Sequence, residues 1–231
     1  MTAILALDTA DRTAGVAVAL DGEVVARVVE RAAPRHGARL MDLVASCLRG
    51  AGVGRGGLTA VAVTRGPGSF TGLRVGLATA KGLALGLGIP VVGVSTLEAL
   101  ARSAFPWPGL VVPVLDARKH QVYGGAWDGE TGEPRVAEGA WAPEDLARAV
   151  AREGRTALLL GSGVTPYRER LRGALGPRYR EADPSGWHVC PGQVALLGHV
   201  ACHEGRATAP DRLVPVYHRR SEAEEARKLE S

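Results

Sequence analysis

Val61-Ala62-Val63-Thr64-Arg65-Gly66-Pro67-Gly68-Ser69-Phe70-Thr71-Gly72-Leu73-Arg74-Val75-Gly76-Leu77-Ala78-Thr79-Ala80-Lys81-Gly82 begins as an apolar run, breaks at a Gly/Pro turn and continues in very small residues. That order reads as strand, tight loop, helix. Pro67-Gly68 suits the central pair of a type II turn, and Ser69 or Thr71 suits the N-cap, so the loop is expected to present amides that hold an anion. In the helix, Gly72, Gly76, Ala80, Ala84 and Gly88 recur every four residues, and Ala78, Gly82 and Gly86 form a second row. Each interior glycine costs about 1 kcal/mol relative to alanine. Close approach of another backbone is the natural compensation. The rows wind around the axis, so two surfaces are expected to be served, the parent sheet and a separate polypeptide; packing on the sheet alone is the plainer alternative.

Outward from this stretch, Ile4 to Thr9, Ala14 to Leu20 and Glu23 to Val29 read as strands, with Asp21-Gly22 as the hairpin signal between the last two. An amphipathic helix spans His36 to Ala51, with Leu40, Met41, Val44, Cys47, Leu48 and Ala51 on its apolar side and Arg39, Asp42 and Ser46 opposite. Strands Ala60 to Thr64 and Val91 to Val94 and a short helix from Thr96 complete a first unit. A second unit echoes it: Leu7-Asp8 followed by Asp21-Gly22-Glu23 returns as Leu115-Asp116 followed by Asp128-Gly129-Glu130. This spacing reads as internal duplication. In the second unit, Val111 to Leu115, Val122 to Trp127 and Ala157 to Leu160 read as strands, and Pro143 to Ala151 and Gly192 to His203 as helices. The Gly- and Pro-dense stretch from Gly161 to Pro191 yields no assignment. The expected organisation is a lobe over 1–105, a second over 106–205 and a C-terminal tail over 206–231, a solvated helix or disordered from Arg219.

Composition narrows the function classes. The chain has 231 residues, 46% hydrophobic and 23% charged, as in ordinary globular proteins. Its charge of +4 comes from 28 basic and 24 acidic residues, scattered without the basic and aromatic clusters of nucleic-acid platforms. Tight RNA binding by this chain alone is therefore unsupported. Cys47, Cys190 and Cys202 are odd in number and lack paired spacing, which argues against a disulfide framework. Asp8 interrupts the N-terminal apolar run too early for a signal peptide, and no apolar run reaches membrane-spanning length. A cytoplasmic location without membrane partners is expected.

Two hairpin-plus-helix units, each with an Asp ending its first strand, resemble the duplicated actin-like, sugar-kinase and Hsp70 (ribonuclease H-like) α/β fold in two lobes. There the paired aspartates face each other across a nucleotide cleft. Asp8 and Asp116 are the corresponding weak candidates for a magnesium-nucleotide site. The run Thr9-Ala10-Asp11-Arg12 is poorly suited to phosphate, because Asp11 repels it unless Arg12 or a metal intervenes. The bland reading is that both aspartates organise their loops. Gly52-Val53-Gly54-Arg55-Gly56-Gly57 matches a dinucleotide glycine pattern only literally, since it ends a helix. Ser69 has no elbow glycines and no partner base. His199 and His203, with Cys190, Cys202 and His188, form a weak metal candidate.

Gly66-Pro67-Gly68-Ser69-Phe70-Thr71-Gly72-Leu73-Arg74-Val75-Gly76, Ala80-Lys81-Gly82-Leu83-Ala84, Val94-Ser95-Thr96-Leu97-Glu98-Ala99-Leu100 and Asp116-Ala117-Arg118-Lys119 together closely resemble the TsaB family, from Ile4 to about Tyr123. These bacterial proteins are accessory to making threonylcarbamoyladenosine in tRNA. The first motif is shared in looser form with the catalytic paralogue TsaD, whose short helix carries a His-x-x-x-His metal site; Thr96 and Leu100 stand at those two positions here. Neither side chain replaces an imidazole on a transition metal. The resemblance implies a non-catalytic subunit without a cofactor, docked on TsaD, cooperating with the ATPase TsaE, meeting tRNA only through the complex, and able to form homodimers by the same face. The implied interface comprises His36, Arg39, Leu40, Leu43, Ser69, Phe70, Gly72, Leu73, Gly76, Leu77 and Ala80. Leucine at Gly76 or Ala80 is expected to abolish docking and leave the monomer folded. The alternative is a stand-alone magnesium-dependent ATPase or phosphotransferase using Asp8 and Asp116. A peptidase reading has no nucleophile and base to support it.

Overall fold

The computed structural model describes residues 1–31 and 36–218, without the side chains of residues 36–38. The tail expected from Arg219 onward therefore lies outside the described residues.

Alternating and β-branched residues build the first sheet from β1 (Ala3–Asp8), β2 (Thr13–Leu20), β3 (Glu23–Arg31), β4 (Ala60–Gly66) and β5 (Val91–Ser95), in the order β3-β2-β1-β4-β5. The second sheet contains β6 (Leu110–Arg118), β7 (Gln121–Asp128), β8 (Pro134–Trp141), β9 (Ala157–Leu160) and β10 (Tyr179–Glu181), in the order β10-β9-β6-β7-β8. Numbered within its own half, each sheet runs third, second, first, fourth, fifth, with two antiparallel hairpin pairings followed by parallel ones. The duplication read from the Leu-Asp and Asp-Gly-Glu echoes is thus a duplication of topology, and the fold is the duplicated actin-like α/β arrangement. Asp21-Gly22 turns β2 into β3, and Gly129 and Glu130 follow β7 on the way to β8 at the equivalent place.

Six α-helices are described: α1 (His36–Ala51), α2 (Phe70–Leu87), α3 (Thr96–Arg102), α4 (Pro143–Ala151), α5 (Val164–Leu175) and α6 (Pro191–His203). β8, α5 and β10 fill stretches for which the sequence offers weak or no periodicity.

The alternation of β1 explains the layering. Ile4 and Ala6 point to a core shared with Ala62, Leu97, Leu100, Val111, Val114, Leu159 and Val194, which spans both halves. Leu5 and Leu7 point the other way, to a core with Val61, Val63, Leu40, Val44, Leu77 and Ala84. α1 and α2 therefore cover the outer face of the first sheet. The inner layer is exchanged between the halves: α3, from the first, contacts β6 and β7, while α6, from the second, contacts all five strands of the first sheet.

Candidate functional site

The Gly/Pro loop holds its neighbour loop. Ser69 donates its amide to the Ala10 carbonyl at 2.7 Å, and its hydroxyl accepts from Gly72 N at 3.3 Å as the N-cap of α2. Thr9 donates its hydroxyl to the Gly72 carbonyl at 2.7 Å. A Cβ at Gly72 would collide with the Thr9 carbonyl oxygen, which is why that position has none. One amide of the loop expected to hold an anion, that of Ser69, is thus committed to the chain's own β1–β2 loop. Gly68 lacks the positive φ that the second central residue of a type II turn requires, so Pro67-Gly68 is not that turn.

α2 turns its two small-residue rows in opposite directions. Gly72, Gly76, Ala80 and Ala84 are buried with Leu73 and Leu77, and a Cβ at Gly76 would meet the Thr9 hydroxyl and Val63. Ala78, Gly82 and Gly86 are exposed, and a Cβ at Gly82 or Gly86 would meet nothing within 4 Å among the described residues. Thr71 and Arg74 share the exposed side, as does Leu85, which is 69% accessible.

The interface set drawn from the resemblance needs correction accordingly. Leu40, Leu43, Gly72, Leu73, Gly76, Leu77 and Ala80 are buried against this chain's own sheet, because an outer helix must spend its apolar side on the strands it covers. Leucine at Gly76 or Ala80 therefore attacks the monomer, contrary to expectation. Arg39, Ser69 and Phe70 do face outward; Arg39 is paired with Glu30 at 3.0 Å. The His36 side chain lies outside the described residues. The second row, Ala78, Gly82 and Gly86, is absent from that set although the sequence distinguishes the two: Leu73 and Leu77 follow directly after Gly72 and Gly76 and mark that first row as the core side. On α1, Met41 is exposed as well, although it was read with the apolar face.

The two candidate aspartates have different environments. Asp8 is fully buried; its Oδ1 accepts from the Thr64 hydroxyl at 2.7 Å and from Ala10 N at 3.2 Å. Loss of solvent pushes its carboxyl up to about 6, with the Thr64 and Ala10 hydrogen bonds opposing and the Asp11 charge adding. Its Oδ2, and that of Asp11, have no hydrogen-bond partner among the described residues. Asp116 is exposed, accepting from Arg118 N at 2.8 Å and from the Tyr167 hydroxyl at 3.3 Å. No described polar contact brings the pair together, and each organises a loop or bend of its own lobe.

Thr96 and Leu100 lie on α3 and are fully buried, Thr96 Oγ1 without a hydrogen-bond partner among the described residues. His199 and His203 stack edge to face with ring centres 4.4 Å apart. Among the described residues, His, Cys, Asp and Glu nowhere gather in groups of three that fit a metal ion. No described helix is long and apolar enough to cross a membrane.

The family model described as "TsaD: tRNA N6-adenosine threonylcarbamoyltransferase" matches residues 27–159. The chain is 33% identical to the tRNA threonylcarbamoyladenosine biosynthesis protein TsaB of Bacillus subtilis, over 96% of each chain. It is 32% identical to the TsaB of Escherichia coli, over 95% of this chain and 96% of that one. The solved structure of YeaZ from Pseudomonas aeruginosa superposes with a TM-score of 0.82 at 32% identity, covering 94% of this chain and 100% of that one.

Proposed function

The chain belongs to the TsaB family of tRNA threonylcarbamoyladenosine biosynthesis proteins, and from that premise we propose that it is a docking subunit that performs no chemistry itself. Its lobes are residues 1–105 and 106–205. The outer layer of the first lobe binds a TsaD-like catalytic paralogue, with a TsaE-like ATPase acting in the same complex and tRNA engaged through the assembly.

The observation that carries this reading is the outward row Ala78, Gly82 and Gly86. Interior glycines cost about 1 kcal/mol each, and among the described residues nothing compensates for Gly82 and Gly86, whose missing side chains would meet no described atom. A helix from a second chain laid along that row gains the close backbone approach that glycine permits. Exposed Leu85, Phe70 and Met41 add apolar area to the same outer layer. Two further features support a non-catalytic role. Thr96 and Leu100 stand where the resemblance places the paralogue's imidazoles, and the self-contained β1–β2 loop leaves Asp8 enclosed.

The test is a titration of the purified chain against its TsaD-like paralogue. Gly82→Leu is expected to weaken binding at least about tenfold, because a side chain now separates the helices, while the melting temperature stays at the wild-type value or above. Wild-type affinity in Gly82→Leu and in Ala78→Leu would reject the docking reading.

A further inference from the structure

The chain after α6 returns to the outer layer. Thr208 exchanges two main-chain hydrogen bonds with Val91 on β5, at 2.9 and 2.8 Å. Leu213 is buried in the outer core, and Val216 donates its amide to the Arg65 carbonyl at 2.7 Å, just before the Gly/Pro loop. His218 sits on the second sheet, its ring 6.3 Å from that of Tyr123 and its Nε2 3.9 Å from Glu138. Between these attachments Tyr217 remains 40% accessible, its ring centre 5.4 Å from that of Phe70, the first residue of α2 and 39% accessible. The Arg74 guanidinium lies 3.8 Å from the centre of the Phe70 ring.

We infer that Phe70, Arg74 and Tyr217 are the anchor of the docking face, so that the segment 213–218 forms part of it, and that the surface they take carries carboxylates. This deepens the docking reading above and rests on it. Aromatic and arginine side chains dominate the energetics of protein interfaces, and these three are held by a helix and by a main-chain hydrogen bond, so that ordering them on binding costs little. The charge points to the partner. Arg74 and Lys81 are the only charged residues of α2, and an acidic partner face would neutralise them.

The experiment titrates the full chain with its TsaD-like paralogue at about 50 and 300 mM salt, which brackets strong and weak screening. Tyr217→Ala should weaken binding at least about tenfold, as loss of a hot spot does, with an unchanged melting temperature. Arg74→Glu should weaken it as much and reduce the salt dependence. If Tyr217→Ala also melts low, Arg74→Ala, at an exposed position, carries the measurement in its place. Wild-type affinity in the Tyr217 and Arg74 variants, with binding lost in Gly82→Leu, overturns the anchor and leaves docking intact. Wild-type affinity in all of them removes the docking reading and the anchor with it. Self-association of the chain, abolished by Tyr217→Ala while paralogue binding persists, overturns the inference in favour of a second copy.

Discussion

The two small-residue rows of α2 have nearly the same composition and opposite physical roles. Toward the sheet, Gly72 and Gly76 admit the Thr9 carbonyl and hydroxyl, so their missing side chains are filled by this chain. Toward solvent, no described atom of the chain fills the space at Gly82 and Gly86. Periodicity alone reveals that a helix has smooth sides; neighbouring large residues decide which smooth side is already in use.

The sharpest way to break this comparison is to load the inward row. Gly72→Leu drives a side chain into the Thr9 carbonyl, a backbone atom that cannot step aside, and should cost more than about 3 kcal/mol, beyond the usual range for overpacked cores. Urea unfolding of the purified variant, or its failure to fold, reads the effect. A variant of wild-type stability would show that the β1–β2 loop moves freely and that the inward row is not a fixed contact.

Beneath the same loop, Asp8 permits a test with a pH sign. Its carboxyl titrates near 6 in the folded chain and near the ordinary 3.8 when unfolded, so the folded state holds the extra proton between those values. Stability from this group is therefore present at low pH and lost as pH rises from about 4 through about 6. Asp8→Asn removes the buried charge. Its melting temperature should match wild type near pH 4 and exceed it at pH 7, by the equivalent of roughly 2–3 kcal/mol for a carboxyl carried from 3.8 to about 6. A gap that stays constant across this window would place the titrating group elsewhere.

The smallest expected effect has opposite signs on the two rows. Gly82→Ala and Gly86→Ala should each stabilise the isolated chain by about 0.5–1 kcal/mol through helix propensity, whereas Gly76→Ala should destabilise it because its methyl group meets Thr9 and Val63. Thermal melts of the three single variants suffice. Equal signs would show that propensity, not contact, governs both sides.

Much of the architecture was legible because it repeats. The Leu-Asp and Asp-Gly-Glu echoes mark equivalent strand ends and turns, and α1 and α4 begin and end where periodicity and proline place them. The second lobe was harder. β8 is a partly exposed strand with weak alternation, and α5 follows a Gly-rich stretch and starts without a side-chain cap. Most of the interface residues implied by the resemblance fall on the sheet side for a related reason, since small residues packed on the chain's own sheet and small residues turned outward leave the same signature. The anchor at Tyr217 had no local signal, because it depends on a long return of the chain from α6 to β4. Asp8 and Asp116 are equivalent by sequence, but only the packing around each makes one enclosed and the other solvated.

The exchange of α3 and α6 between the sheets bears on how the molecule loses its structure. Neither half carries all of its own lining: residues 1–105 alone would keep only α3 beside β4 and β5 on the inner side of the first sheet, and the remainder would lack the helix seated on β6 and β7. Cutting the chain at its midpoint should therefore yield two fragments that aggregate separately yet refold when mixed, and the intact protein should melt in one transition despite its bilobal outline.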